Sequence, residues 1–171
     1  MRFKFLVTLG AVAQALAPVI TKGNAFFVKD TNERFYRRGV DYQPGGSSKL
    51  IDPIANTDTL KRDIEKFKDL GINTIRIYSI DNTEDHDEGM SMLEDAGIYV
   101  ILDTNIPDAS IARDDPECSY NTLYLEQVLA TVYKMGNYTN VLGFFAGSEV
   151  INDGTSTYAA TYVKAVLRDM K

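Results

Sequence analysis

The sequence predicts an α/β fold: the first half of a (β/α)8 TIM-type barrel, preceded by a signal peptide and a short β-hairpin. Three observations lead there. Apolar strand-like segments alternate four times with helix-like segments, the pattern of parallel βαβ units. The strands are near-continuous runs of apolar residues, as in strands covered on both faces. Polar residues stand at the C-terminal end of every strand, and in a barrel that rim carries the chemistry.

The elements follow in order. Arg2 and Lys4 precede an apolar run from Phe5 to about Leu16, and Ala13-Gln14-Ala15 offers the small-x-small pattern of a signal-peptide cleavage site. Cleavage after Ala15 is expected, with Ala17 the second option; the mature domain is then residues 16–171. The run falls short of the roughly 20 residues a spanning helix needs. Phe26-Phe27-Val28 and Arg34-Phe35-Tyr36, separated by Asp30-Thr31-Asn32-Glu33, read as the hairpin.

The first barrel strand is expected at Arg38–Gln43, followed by a helix with the stripe Leu60, Ile64 and Phe67, stopped by Gly71. The second strand is Ile72–Tyr78, followed by a helix near Asp87–Ala96, stopped by Gly97. The third is Ile98–Asp103, with a longer connection to a helix at about Asn121–Met135. The fourth is Val141–Ala146, and Tyr158, Tyr162, Val163 and Val166 mark the last helix. A doubly wound sheet is the competing architecture. It is disfavoured because Pro44-Gly45-Gly46-Ser47-Ser48, after the first strand, fits no Gly-rich phosphate turn. Four units make half a barrel, ending at Lys171 within the fourth helix.

Composition narrows the chemistry. The net charge of −6 argues against nucleic acid, which selects clustered Lys and Arg. Cys118 is the only cysteine, so no internal disulfide forms. His86 is the only histidine and sits in Asp85-His86-Asp87-Glu88, expected to be a solvated acidic loop rather than a metal site. With these two residues alone, neither a Ser-His-Asp triad nor a Cys-His dyad is convincing. No cofactor is implied. Asn137-Tyr138-Thr139 is a glycosylation sequon.

Arg76, Tyr78, Asp103 and Glu149 are polar residues at the ends of otherwise buried strands. Such a carboxylate is costly unless paired, hydrated or functional, and pairing with Arg76 is one way to satisfy it. Glu149 has the small residues Gly147 and Ser148 beside it, and Phe144 and Phe145 are expected to supply an apolar wall. That surround suits a general acid. Retaining glycosidic cleavage uses two carboxyl groups about 5–5.5 Å apart, and Glu149 fits the protonating one. The second is expected on a strand beyond this chain.

Several stretches together resemble the fungal 1,3-beta-glucanosyltransferases, glycoside hydrolase family 72. They are residues 40–48, Arg62-Asp63-Ile64, residues 73–78, residues 96–100 and residues 143–150, with Val163-Lys164-Ala165 and residues 168–171. The resemblance runs from about Gly23 to the last residue. It implies a cell-surface barrel enzyme, anchored by a C-terminal glycolipid signal that this chain lacks. Such enzymes cleave a β-1,3-glucan donor with retention and transfer it to a glucan acceptor.

By motif position Glu149 resembles the acid/base, while Gln43, Tyr78 and Asp103 resemble donor-subsite residues. Ser148 stands where the family has an Asn that contacts the sugar 2-hydroxyl. Leu60 and Gly89 replace two cysteines that pair in the family, and Cys118 replaces a Trp. The alternatives are a catalytically silent glucan-binding wall protein or, less favoured, a β-mannanase or endoglucanase on the same barrel.

Overall fold

In the computed structural model, residues 16–46 and 48–171 are described; residues 1–15, where the signal peptide is expected, and Ser47 lie outside them. A small antiparallel sheet comes first, of strands β1 (Val19–Lys22), β2 (Ala25–Val28) and β3 (Arg34–Phe35), in the order β1-β2-β3. The expected hairpin is therefore three-stranded. Val19 pairs with Val28 and Lys22 with Ala25 around a tight turn in which Gly23 takes φ +60°. A φ of that sign is open to Gly at little steric cost.

Four parallel strands follow: β4 (Gly39–Asp41), β5 (Thr74–Ile77), β6 (Tyr99–Asp103) and β7 (Val141–Phe145). Their spatial order is their sequence order, β4-β5-β6-β7, without the reversal that a doubly wound sheet requires. Helices α1 (Thr57–Asp69) and α2 (Asp87–Asp95) connect the first three. A short α3 (Pro116–Ser119) and α4 (Thr122–Met135) connect β6 to β7, and α5 (Ala160–Asp169) ends the chain. Four sequential βα units are the first half of a (β/α)8 barrel, as the sequence predicts.

Local chemistry sets the helix boundaries. Asn56 caps α1 by accepting from the Thr59 amide, and Asn121 caps α4 by accepting from Tyr124. Side-chain oxygens there satisfy amides that lack an intrahelical partner. The last expected helix begins later than its aromatic pattern suggests. Tyr158 lies in a 3-10 turn and is 49% exposed, because its hydroxyl donates to the Arg113 carbonyl at 2.8 Å instead of packing inward.

Strand alternation separates two faces. Ile75, Ile77, Val100 and Leu102 are fully buried against Leu60, Ile64 and Phe67 of α1 and Met90 and Leu93 of α2. Each such side chain contributes about 1.5–3 kcal/mol relative to exposure. A second cluster joins Tyr124 and Val128 of α4 to Val166 of α5 and to Ala146 and Val150 after β7. The opposite face of the sheet carries Gly39, Asp41, Thr74, Arg76, Ile101 and Phe145, which line an open cavity of about 620 Å³ with the small sheet. That face is the barrel interior.

One expectation is corrected. His86 is not on a solvated loop: it is completely buried, and its Nε2 lies 2.7 Å from Asp52 Oδ2. Asp52 also accepts from the amides of Ile54, Ala55 and Asp81, so it ties the loop after β4 to the loop after β5. Gly89 is buried because α2 presses on the loop before α1; a Cβ at Gly89 would lie 2.2 Å from the Ile54 carbonyl oxygen.

Candidate active site

Arg76 organises the rim. Its Nε donates to Asp103 Oδ1 at 2.9 Å and its terminal nitrogen to Oδ2 at 2.8 Å, a two-point ion pair. The same nitrogen donates to Ser148 Oγ at 3.2 Å. The guanidinium lies 4.3 Å from the Tyr78 ring centroid and 4.4 Å from that of Phe145. A cation held between aromatic faces keeps its plane fixed while its edge grips the carboxylate.

The register explains the meeting. Arg76 sits opposite Asp41 on β4 and Ile101 on β6, while Asp103 sits opposite Phe145 on β7. Residues two apart on a strand share a face, so Arg76, Tyr78, Ile101 and Asp103 all point into the barrel. Tyr78 donates its phenol proton to Asp41 Oδ2 at 2.8 Å. That bond to a carboxylate, with some burial, raises the Tyr78 pKa above that of an ordinary phenol. Hydrogen bonding to Asp103 likewise raises the Arg76 pKa, so the cation is permanent.

Of the sequence-predicted residues, Tyr78, Asp103 and Ser148 meet at Arg76. Gln43 is half-buried at the turn after β4, where its carbonyl accepts from the Gly46 amide at 3.0 Å. Glu149 is exposed, and among the described residues its carboxylate makes no hydrogen bond. The expected apolar wall does not form around it. Phe144 packs into the core on the helix side and Phe145 stacks on Arg76, because successive strand residues face opposite ways.

Glu149 has an unusual backbone, with φ at +54°. Non-glycine residues seldom take this conformation, and where they do it often marks a functional position. The Arg113 guanidinium donates to the Glu149 carbonyl and holds it. Arg113 and Asp41 complete the site; Arg113 carried no signal in the sequence, whereas Asp41 is one of the polar strand-end residues that mark the rim. Arg113 lies 36 positions from the residue it grips. Asp41 stood at a strand end, where its bond to Tyr78 was not visible.

Asn137 is exposed after α4, and its Nδ2 donates to the Tyr133 carbonyl at 3.0 Å. Among the described residues no group of His, Cys, Asp and Glu side chains is arranged to hold a metal ion, and no helix is long and apolar enough to cross a membrane.

A family model described as glucanosyltransferase, Glyco_hydro_72, matches residues 8–171. The chain is 58% identical, over its whole length, to 1,3-beta-glucanosyltransferase PGA4 of Candida albicans, and spans 39% of that protein. It is 59% identical over 88% of its length to 1,3-beta-glucanosyltransferase GAS5 of Saccharomyces cerevisiae, spanning 31% of it. The chain thus spans about a third of these relatives.

Among solved structures, it matches Saccharomyces cerevisiae Gas2 bound to a small compound with a TM-score of 0.86 and 40% identity, over 91% of this chain and 35% of that one. A Glu-to-Gln mutant of Gas2 in complex with laminaritetraose and laminaripentaose matches with a TM-score of 0.85 and 39% identity, over the same shares. The chain belongs to glycoside hydrolase family 72, the glucanosyltransferases, and forms the N-terminal half of its barrel.

Proposed function

We propose that this chain provides the acid/base half of a retaining 1,3-beta-glucanosyltransferase site. The observation that carries this reading is the placement of Glu149: it is held at φ +54° beside Ser148, which the Arg76–Asp103 pair reaches directly. Glu149 protonates the glycosidic oxygen as the donor glucan breaks. A second carboxylate, from the part of the protein matching the rest of the relatives' length, attacks the anomeric carbon and forms the glycosyl-enzyme. Glu149, now ionised, takes the proton of an acceptor sugar hydroxyl as that oxygen displaces the carboxylate. Tyr78, Asp103, Gln43 and Ser148 line the donor side. The substrates are β-1,3-glucan donor and acceptor, in keeping with the relatives' names and the laminari-oligosaccharides bound to Gas2.

The protein acts at the fungal cell surface after removal of residues 1–15, and is retained there by a C-terminal lipid anchor. On this reading Leu16 is the first residue of the mature chain; its nitrogen donates to Glu94, and the Ala17 carbonyl accepts from the Tyr99 hydroxyl, contacts that support a cut before Leu16.

The test is a chimaera in which this chain replaces the matching segment of the Saccharomyces cerevisiae GAS5 relative. Incubated with a reduced β-1,3-glucan oligosaccharide, it is expected to yield products longer than the donor. Glu149→Gln is expected to lower that rate by about 10²–10⁴. A chimaera that folds by circular dichroism and binds the oligosaccharide without lengthening it overturns the proposal and leaves a glucan-binding wall protein.

A further inference from the structure

The outer face of α4 carries a feature that the glucan site does not use. Leu129 is 43% exposed and Tyr133 is 83% exposed, although a ring of that size ordinarily buries much of its surface. Asn137 stands in the turn just past the C-cap of α4, next to Tyr133 in the last turn of the helix. The Asn137 amide folds back on the helix end, donating from Nδ2 to the Tyr133 carbonyl at 3.0 Å. Asn137 opens the triplet Asn137-Tyr138-Thr139.

We propose that Asn137 carries an N-linked glycan whose first sugars pack on Tyr133 and Leu129, covering the apolar stripe of α4. This rests on the reading that the chain is secreted. In the attachment step the Asn137 Nδ2 bonds to the anomeric carbon of an N-acetylglucosamine supplied as a lipid-linked pyrophosphate oligosaccharide. The carbon–oxygen bond to pyrophosphate breaks, the lipid pyrophosphate leaves with the electron pair, and one Nδ2 proton passes to a base of the transferase. An amide nitrogen has two hydrogens; one serves the Tyr133 carbonyl, and the other is the one replaced.

The rest of the triplet is engaged in the fold. Tyr138 donates to Asp87 at 2.7 Å and Thr139 donates to Glu94 at 2.7 Å, both on α2. The threonine hydroxyl that makes the triplet an acceptor is therefore occupied once α2 and the α4–β7 turn have packed. Attachment precedes that packing. Afterwards these two bonds fix the turn and leave Asn137 pointing along the α4 face. A pyranose presents C–H groups on one face, and those groups suit the Tyr133 ring, which is exposed among the described residues.

The experiment is secretion of the full coding protein from a yeast host, once behind its own residues 1–15 and once behind a heterologous leader. The pair of leaders separates failure of the chain's own signal from failure at Asn137. Glycopeptide mass spectrometry is expected to find Asn137 occupied, and Asn137→Gln to remove the modification. The glycosylated form is expected to melt about 1 °C above the enzymatically deglycosylated form, the shift that about 1 kcal/mol produces in a protein some three times the length of this chain. Tyr133→Ser is expected to leave occupancy intact and abolish that increment. An unmodified Asn137 in the secreted protein, with either leader, overturns the proposal. So does an increment that Tyr133→Ser leaves unchanged.

Discussion

Arg76 and Asp103 meet across adjacent strands in a two-point ion pair, at 2.9 and 2.8 Å, with the Asp103 side chain 2% exposed. This pair fixes the barrel interior, because Arg76 also reaches Ser148 and stacks between Tyr78 and Phe145.

Arg76→Met is expected to destabilise the protein by about 3–5 kcal/mol, the loss on leaving a buried carboxylate without its cation. Arg76→Lys is expected to fall between this variant and the parent, since a point charge cannot donate in parallel to both oxygens. Urea unfolding midpoints measure both. A loss of less than about 1 kcal/mol for Arg76→Met, the range of exposed pairs, would mean that water replaces the guanidinium.

Glu149→Asn is expected to raise stability by roughly 0.5–1 kcal/mol, because Asn tolerates the left-handed region far better than Glu. Glu149→Gln keeps the same backbone penalty and is expected to melt with the parent. Both variants lose transfer in the chimaera. Equal melting temperatures for the Glu149→Asn and Glu149→Gln proteins would show that the +54° backbone carries no strain.

Gly89→Ala is expected to cost about 1–3 kcal/mol by overpacking. The added carbon would lie 2.2 Å from a backbone oxygen, Ile54 O, which has no rotamer through which to yield. For the same reason the double variant Leu60→Cys, Gly89→Cys is expected to be less stable than the parent even when oxidised. Thermal melts with and without reductant decide this; an oxidised melt above that of the parent would refute it.

Acid is expected to weaken the fold between about pH 4 and pH 2. The Arg62 hydrogen bonds, opposed by burial and aided by Tyr42 and Lys66, hold the Asp63 pKa down to about 2. An ordinary Asp titrates near about 3.9. A group depressed in the folded state contributes stability above its unfolded pKa and loses it as pH falls through the folded one. Melting temperature should therefore decline across that window, and more gently in Asp63→Asn. Parallel declines in the two proteins would place the acid sensitivity elsewhere.

How far the sequence could be read depended on the range of the interaction. The stripe Leu60, Ile64 and Phe67 was legible because its spacing is local, and all three are buried as expected. Gly71 and Gly97 marked helix ends, and both take positive φ, +67° and +76°. Strand β1 was missed because Val19–Lys22 is short and follows closely on the apolar run from Phe5 to about Leu16, whose hydrophobicity masks it. Asp103 was read as either paired or functional, and the structure supplies its pair without excluding the function.

The sequence by itself determined the order of the four parallel strands with their main helices, and the family, since periodicity and contiguous motifs are written in neighbouring residues. Only the tertiary structure decided which rim groups meet. Arg76 reaches Asp103 across 27 positions and Ser148 across 72, and His86 is buried on Asp52 across 34. No local pattern encodes such contacts. They exist because packing of the whole sheet closes those loops, and that closure decides whether a polar side chain is solvated or paired.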